Sequence, residues 1–418
     1  MKLLIKYIPF FVFIMTWESV VQWLNIDVIL GGWWIEHLLQ ALLPFAFFMY
    51  YVYYAKESQK APLTLTFLYL LLLVNTFYGF FMSEGYQDNQ KLFGTLIYWM
   101  LPLGWYYLQE PDNISKVTRT WCRYSIPFFL ALVAFMQGEA VGRYFAPFAF
   151  ILIFYPYLNK KWKLLTAVVV FIVLLMGALG ARSSVLRFGV AIILALAIYL
   201  RRIITQRLLK ITLYSLLVAP VALLILGITD TFNIFKIQEE LGWKEIEVTN
   251  SFDSSEQEDL TSDTRTFLYV EEIESAIRNN YVFFGRSISR GYDSVVFDEA
   301  DWKKGRNERS SCEVRMLNVF NYMGIVGVVV VSLVYIIAAW RAVYRSKSFD
   351  MKIVGVYVAF RWLYAWIEDF DRFDLINLYL WIPIFMCYSS KFLEMTDNEF
   401  KCWIKNFFKT QKICLKNQ

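Results

Sequence analysis

Two pairs of arginines in this sequence could do chemistry. Arg182 lies between two apolar stretches and Arg187 just inside the second of them, where hydropathy predicts membrane, whereas Arg286 and Arg290 stand four residues apart between glycines in a long polar segment. Moving an arginine to membrane depth costs at least about 2.5–3.5 kcal/mol, so such a residue is expected to have a partner, a watery cavity or a ligand. Paired guanidinium groups suit bidentate recognition of phosphate oxygens. The pattern therefore predicts binding of a phosphate-bearing molecule.

Each pair of arginines also has a simpler interpretation. Arg182 and Arg187 can extend their charges to the lipid headgroups while their methylene groups stay in the apolar region. The segment with Arg286 and Arg290 can equally form a solvated turn. Arg182 and Arg187 nevertheless lie on the side of the predicted membrane that basic residues usually avoid, which favours a ligand.

A carboxylate suited to proton transfer stands where a later apolar stretch begins. Glu313 and Arg315 occupy this predicted membrane boundary. A positioned carboxylate can accept the proton of an attacking hydroxyl group, so Glu313 is the predicted general base. Asp369 and Asp371 are the competing candidates for the base. The structural alternative is that Glu313 only pairs with Arg315 or Arg309.

Segment 368–374 and His37 are expected to have structural roles. Segment 368–374 contains four acidic residues and follows an apolar stretch that includes Arg361. It lacks the ligand spacing of a calcium loop, so a solvated turn is expected. His37 is expected to be a packed or interfacial residue.

The elements that must position these residues are membrane-spanning helices. A spanning helix needs about 20 mostly apolar residues, and twelve stretches qualify. Their approximate ranges are 4–24, 33–54, 62–82, 92–108, 121–137, 143–158, 163–180, 184–200, 208–229, 313–339, 351–367 and 373–389. The sequence therefore predicts an all-α integral membrane protein with about 12 transmembrane helices.

Basic residues predict the orientation of these helices. In the connections and termini, 24 Lys and Arg residues fall on one side of the predicted spans and four on the other. Cytoplasmic loops are enriched in these residues, so both termini are predicted in the cytoplasm. The chain then divides into transmembrane helices 1–9 (1–229), a large periplasmic loop (230–312), transmembrane helices 10–12 (313–389) and a basic cytoplasmic tail (390–418).

Loop 230–312 is too long for a simple link and carries 18 acidic and 10 basic residues. Within it, segment 262–280 has apolar residues at 267, 270, 273 and 277, which predicts an amphipathic helix. The apolar face of this helix is expected on the membrane surface or over the mouth of the bundle. Arg265 is either a substrate ligand or an intrahelical partner of Asp263 or Glu272.

Composition excludes several functional classes. Of the 418 residues, 58% are hydrophobic and 18% are charged, and the mean hydropathy is +0.44. Soluble proteins carry about 25% charged residues, so this composition points to lipid and excludes intrinsic disorder and a nucleic-acid partner. A single histidine and cysteines without CxxC spacing predict no metal site, and no cofactor is expected.

Four sequence features together resemble those of one bacterial superfamily. They are Ala181-Arg182-Ser183-Ser184 at the start of a mid-chain span, Asp263-Thr264-Arg265 and Phe284-Gly285-Arg286-Ser287 in the long loop, and Glu313 through Gly327. With the span count, this set resembles the O-antigen polymerase and O-antigen ligase superfamily, whose members act on polyprenyl-pyrophosphate-linked glycans. Many relatives have a histidine twelve to thirteen residues before the glycine pair. In this chain Cys312 stands twelve residues before Gly324, and Glu313 follows it.

The resemblance implies a metal-independent glycosyltransferase in a bacterial inner membrane. It would polymerise undecaprenyl-pyrophosphate-linked repeat units into O-antigen or capsular or exopolysaccharide. Its partners would be the lipid-linked donor and acceptor, the bilayer and a chain-length regulator. The implied catalytic residues are Glu313, Arg182 and Arg286, and the implied substrate-binding residues are Arg187, Arg265, Arg290 and Arg315.

Two other functions fit the same pattern. One is a transporter or flippase for lipid-linked glycans, and the other is an O-antigen ligase. A transporter is expected to place its binding charges near the bilayer midplane, whereas these charges gather at one predicted face. The sequence therefore favours an enzyme over a transporter, and it separates polymerase from ligase poorly.

The predicted topology can be checked by cysteine labelling. In a variant without native cysteines, a membrane-impermeant thiol reagent added from outside should modify a cysteine at residue 255 and leave one at residue 410 unmodified, because the charge bias places them on opposite faces. Labelling of residue 410 alone would overturn the orientation.

Overall fold

The computed structural model describes residues 2–24, 33–56, 58–177, 182–229, 231–233, 247–249, 257–259, 265–294 and 307–408. Within these ranges the protein is mostly α-helical. The helices are α1 (Lys2–Lys6), α2 (Ile8–Val20), α3 (Trp33–Tyr54), α4 (Leu63–Met82), α5 (Tyr86–Trp99), α6 (Trp105–Leu108), α7 (Pro111–Leu132), α8 (Gly138–Tyr144), α9 (Ala146–Ile153), α10 (Lys160–Gly177), α11 (Arg182–Tyr199), α12 (Gln206–Ile228), α13 (Thr266–Arg278), α14 (Arg315–Arg345), α15 (Phe349–Tyr364), α16 (Leu375–Tyr388), α17 (Ser390–Glu394) and α18 (Asp397–Asn406).

Strands among the described residues are short and confined to segment 230–312. Strand β1 (Glu247–Thr249) pairs antiparallel with β2 (Gln257–Asp259). Strand β3 (Tyr292–Asp293) pairs antiparallel with β4 (Glu308–Arg309), with Tyr292 opposite Arg309. The all-α prediction is therefore confirmed.

Several helices are suited to a lipid environment. In the described part of the chain, four are long and apolar enough to cross a membrane: Ile35–Tyr54, Leu63–Met82, Gln206–Gly227 and Arg315–Arg345. Shorter apolar helices include Ser183–Tyr199 and Leu375–Tyr388. These helices support a membrane protein, and the count of twelve spans stays a prediction.

Helix α16 lies at the centre of the bundle, where every one of its residues is buried. It packs against α2, α9, α14 and α15. Its sequence is apolar on all sides, as expected for a helix surrounded by other helices. By contrast, α4 and α12 keep large apolar side chains such as Phe67 and Val221 exposed, which suits contact with lipid.

The connections between helices gather at two ends of the bundle. At one end, which we call the loop end, the Gln137 N–H donates to Trp23 O and the Leu375 N–H donates to Ser19 Oγ. Segment 265–294 joins this end. At the opposite end, the Phe349 N–H donates to Asp397 Oδ1 at 2.7 Å, so α18 of the predicted tail packs on the bundle.

The predicted amphipathic helix exists as α13, but its orientation differs from one of the two expectations. Leu268 and Glu272 face the protein and are fully buried. Val270, Ile273 and Ile277 are exposed, Ile277 to 64%. Of the four predicted apolar positions, Phe267 packs on the protein, so most of the apolar face does not close over the bundle. An outward apolar face is suited to lipid, because lipid chains solvate apolar side chains as well as a protein core does.

Two glycines from distant motifs interlock at the loop end. Gly324 breaks the helical geometry of α14 with φ 62°, and Gly285 has φ 76°. The opened turn leaves backbone groups that segment 282–286 satisfies: the Arg286 N–H donates to Asn321 O, and the Ile325 N–H donates to Val282 O. A Cβ atom at Gly285 would lie 2.3 Å from Met323 N. The glycine is therefore needed for the close contact between this segment and the backbone of α14.

Replacing either glycine should undock segment 282–286. A residue with a side chain at this φ costs about 1–3 kcal/mol, and the backbone clash adds to this. We expect Gly285→Ala and Gly324→Ala to lower the thermal stability of the purified protein and expose Arg286 to proteolysis.

Gly189→Ala is the matched control, because a Cβ atom there meets nothing within 4 Å. An unchanged melting temperature for Gly285→Ala, equal to that of Gly189→Ala, would contradict the interlocking contact.

Candidate functional site

Arg286 and Arg290 come together in an ion-pair network that we call the hairpin cluster, with Asp293, Glu308 and Glu84. Arg286 Nη1 lies 2.6 Å from Asp293 Oδ1, and Arg286 Nη2 lies 3.1 Å from Glu308 Oε1. Arg290 bonds both oxygens of Glu308 and pairs with Glu84 at 3.0 Å. Both guanidinium groups therefore have carboxylate partners, and the solvated-turn interpretation is wrong.

Local backbone structure positions the hairpin cluster. Pairing of β3 with β4 sets Glu308 opposite Asp293. The carbonyl of Arg290 accepts from Lys91 Nζ and from Asn321 Nδ2, which fixes the loop to α5 and α14. Although burial opposes ionisation of Asp293, hydrogen bonding to Arg286 holds its pKa below the usual value. These contacts tie segment 284–294 to the bundle.

Segment 368–374, expected to be a solvated turn, is instead buried. Asp369 Oδ2 lies 2.7 Å from Arg361 Nη2 and 3.1 Å from Arg315 Nη2, so one carboxylate bridges α14 and α15. Burial alone would raise the pKa of Asp369, but the two arginines lower it below the usual value. The sequence lacked an obvious cue for this, because Arg315 and Arg361 are 46 positions apart.

The same segment has an unusual backbone. Asp369 adopts φ 136°, a conformation that non-glycine residues rarely adopt and that costs about 1–3 kcal/mol. Its N–H donates to Glu313 O at 2.9 Å. Asn377 Nδ2 donates to the carbonyls of Phe370 and Arg372. The strained turn is therefore held by residues at the start of α14, near the end of α15 and at the start of α16.

Arg187 and Arg143 line a second polar region, which we call the arginine pocket. Arg187 is 6% exposed, and its guanidinium donates to Ser183 O, Ser183 Oγ and Ser184 Oγ. Arg143 pairs with Glu139 and lies 3.7 Å from Asp374. The pocket has a volume of about 10 Å³, which holds one water molecule.

The remaining predicted residues fall around these groups. Arg182 is the first residue of α11, and its side chain lies outside the described residues, as do Asp263 and Thr264. Arg265 precedes α13, and its charge acts on Glu368 as that of Arg187 does. The structure thus places Arg286 beside Arg290, where both contact Glu308. It places Arg187 and Arg265 near one carboxylate, that of Glu368.

Glu313, the predicted base, is paired with Arg309. Arg309 Nη2 lies 3.0 Å from Glu313 Oε1 and 3.2 Å from Oε2, and the Glu313 side chain is 29% exposed. Arg315, predicted to bind substrate, is instead engaged by Asp369, Asp371 and Asn377. Of the two structural partners considered for Glu313, the structure shows Arg309.

A larger polar cavity opens at the loop end. It has a volume of about 500 Å³ and lies between α2, α3, α5, the start of α14 and segment 371–374. We call it the loop-end cavity. Its walls include Asp371, Lys91 and Tyr322. His37 also lines it, in keeping with an interfacial position.

Sequence reasoning missed several of the residues that these groups depend on. Arg143, Glu84 and Glu308 were not candidates. Asp369 and Asp371 were competing candidates for the base, but the segment that holds them was expected to be a solvated turn. Arg143 did carry a usable signal, because it is one of the four basic residues on the disfavoured side of the predicted spans. In the described residues, no group of three or more His, Cys, Asp or Glu side chains is arranged to hold a metal ion.

Comparison with known proteins finds no matching family model, no matching curated protein and no matching solved structure. The resemblance described above therefore rests on the residues of this chain alone.

The bridge at Asp369 should dominate the stability of the loop end. Removing one partner of a buried ion pair costs about 3–5 kcal/mol, because the other charge stays buried. We expect Asp369→Asn to lower the thermal stability of the detergent-solubilised protein accordingly, since Arg361 loses its carboxylate.

Asp397→Asn is the matched control at the opposite end. Its charged partner Arg201 lies 3.5 Å away, and both side chains are more than a third exposed. An asparagine oxygen can still accept from the Phe349 N–H, so the loss should be under about 1 kcal/mol. Equal melting temperatures for the two variants would show that the Asp369 bridge is not stabilising.

Proposed function

We propose that this protein is a membrane glycosyltransferase that polymerises polyprenyl-pyrophosphate-linked oligosaccharide units. The observation that carries the proposal is the concentration of buried arginines and carboxylates at the loop end, beside a polar cavity of about 500 Å³. The resemblance of the sequence to O-antigen polymerases supplies the substrate class. The product would be O-antigen or a capsular or exopolysaccharide.

The start of α11 suits the phosphate groups of the donor. Among the described residues, no carboxylate lies within ion-pair distance of Arg187, whose hydrogen bonds all go to serine groups. Arg182 begins the same 18-residue helix, whose N-terminus carries a partial positive charge and free N–H groups. We assign the donor pyrophosphate to this helix end, outside the arginine pocket, because that pocket has room for about one water molecule and is also lined by Glu368, Asp369 and Asp374.

Arg286 and Arg290 then have a different role from direct phosphate binding. Each is already paired with carboxylates of the hairpin cluster, and a phosphate would have to replace Glu308. In the proposed enzyme they order the loop beside the cavity.

The position of the charges also favours an enzyme over a transporter. The buried charges of the candidate site, including Arg143, Arg187, Arg315 and Asp369, lie where connections meet at the loop end. A transporter is expected to hold its substrate near the midplane on interrupted helices. The predicted topology places the loop end at the periplasmic face of a bacterial inner membrane, with both termini in the cytoplasm.

The proposed reaction is a substitution at an anomeric carbon. The acceptor hydroxyl oxygen bonds to this carbon, the bond from the carbon to the pyrophosphate breaks, and the electron pair leaves with the pyrophosphate. Fixed guanidinium groups stabilise the charge that develops on the leaving group. A loop-end carboxylate takes the hydroxyl proton, and Glu313 is the residue that the sequence predicts for this step.

Arg187 gives the sharpest test of donor binding. Loss of one fixed donor to a developing anion typically costs about 10²–10³ in rate, so Arg187→Ala should abolish long chains in membranes supplied with the lipid-linked repeat unit. Arg187→Lys should restore activity only in part, because an ammonium group lacks the bidentate fork.

Arg207→Ala is the control, since Arg207 is an exposed arginine in the first turn of α12, at the opposite end. Normal chain length for Arg187→Ala at normal protein abundance would refute the donor site. A surface glycan that carries no repeat unit at all in a deletion strain would indicate a ligase instead.

A further inference from the structure

A groove with mostly apolar walls lies between the last two turns of α12 and helix α13, and we call it the lateral groove. Its lining includes Leu223, Leu224 and Gly227 of α12, Val270 and Ile273 of α13, and Trp366 after α15. Its volume of about 340 Å³ falls within the usual range of small-molecule sites. Val270 is 49% exposed and Ile273 43%, so the groove opens on the outside of the bundle. These walls suit an apolar chain that enters from lipid.

The two walls of the lateral groove are fixed separately. Trp362 Nε1 donates to Leu217 O at 3.2 Å, which attaches α12 to α15. The hydroxyl of Tyr269 donates to Trp366 O, which attaches α13 to the residues that follow α15. Between the walls, a Cβ atom at Gly227 would meet no atom of the described residues within 4 Å. The groove is therefore preformed and has room for a ligand.

One end of the lateral groove adjoins arginines. Thr266 lines the groove, and Arg265 precedes it in the chain. Ile367 also lines the groove, and the next residue, Glu368, lines the arginine pocket. The charges of Arg265 and Arg187 both act on Glu368. An apolar chain in this groove would therefore have its inner end beside cationic side chains.

Helix packing places this inner end near the proposed pyrophosphate site. Helix α15 packs against both α11 and α12. Because α11 begins at the loop end and α12 ends there, the end of α15 lies between the start of α11 and the lateral groove. Glu274, the carboxylate among the lining residues, stands eight positions after Thr266 on α13, about two turns away along the helix. A pyrophosphate at the start of α11 would therefore lie away from this carboxylate.

The shape of the site selects among lipids. A polyprenyl pyrophosphate has one apolar chain bonded directly to its phosphate group, whereas a phospholipid has two chains joined to the phosphate through glycerol. One groove that ends beside arginines fits the single chain. Lipid chains are as apolar as leucine side chains, so within a membrane the preference for one chain must come from packing. The fixed walls of the lateral groove can supply such packing.

We propose that the lateral groove binds the part of the donor's polyprenyl chain that adjoins the pyrophosphate. This inference rests on the proposed function and adds the site of the lipid chain and its route of entry. The donor moves sideways from the bilayer, and its chain enters between α12 and α13. Its pyrophosphate then reaches the start of α11.

Photocrosslinking of the full-length protein in proteoliposomes tests this site without requiring polymerisation. The photoreactive residue p-benzoylphenylalanine is placed at residue 273, which lines the groove, or at residue 277. Residue 277 is the matched control, because Ile277 lies on the same helix, is 64% exposed and is not among the lining residues. We expect radiolabelled undecaprenyl pyrophosphate to crosslink strongly from residue 273 and weakly from residue 277.

Radiolabelled phosphatidylglycerol is the competing occupant, and it should crosslink no better from residue 273 than from residue 277. Equal crosslinking of undecaprenyl pyrophosphate from the two positions would overturn the inference. Preferential crosslinking of phosphatidylglycerol from residue 273 would overturn it as well, because the groove would then hold bulk lipid.

Filling the groove gives a second test. Gly227→Phe places a ring in the open space, and phenylalanine is a better helix former than glycine. The variant should raise the apparent KM for the lipid-linked repeat unit about tenfold, equivalent to about 1.4 kcal/mol. Its kcat should stay near that of wild type, because the groove lies away from the reacting carbon. Val221→Phe is the control, since Val221 lies on the same helix, is 53% exposed and is not among the lining residues.

The two tests separate this inference from the proposed function. A normal KM for Gly227→Phe in an active polymerase would overturn the inference and leave the polymerase proposal intact. Selective crosslinking from residue 273 in a protein that cannot extend the repeat unit would support the lipid-chain site and refute the polymerase proposal.

Discussion

The loop end depends on one carboxylate that neutralises two buried arginines. Asp369 joins Arg315 at the start of α14 to Arg361 near the end of α15. An arginine without a partner in this environment would cost several kcal/mol. The bridge therefore fixes the first turn of the longest helix against its neighbour, and it holds segment 368–374 in a backbone conformation that would otherwise be unfavourable. Both polar cavities are bounded by that segment.

Lipid as a solvent explains where sequence reasoning about α13 succeeded and failed. The spacing of apolar residues predicted the helix correctly, since periodicity is a property of the backbone. The direction of its apolar face could not follow from spacing, because in a membrane protein the apolar face can turn outward. Glu272 lies on the buried side, where burial raises its pKa well above the usual value. The elements that pack against α13, and not the sequence of α13 itself, decide that Glu272 is buried.

For the candidate site too, local sequence features could be predicted and contacts between distant parts of the chain could not. Residue type and local spacing identified Arg187, Arg286, Arg290 and Arg315 as candidate catalytic or substrate-binding residues. The structure places all four at the loop end, and three of them are paired with carboxylates. Their partners come from distant parts of the chain: Glu84 for Arg290, Glu308 for Arg286 and Asp369 for Arg315. A single sequence carries no signal for such pairings. The acidic segment was assigned to solvent because its arginine partners lie on two other helices.

The two cavities have a spatial relation that bears on the chemistry. Asp374 lines both the arginine pocket and the loop-end cavity, so segment 368–374 forms the wall between them. Both cavities mix charges of the two signs: Arg143 and Arg187 face Glu368 and Asp374 in the arginine pocket, and Lys91 and Arg372 stand with Glu18 and Glu36 in the loop-end cavity. Because the Asp369 bridge holds the wall between them, a change at that bridge should alter the two linings together, although only one short segment separates them.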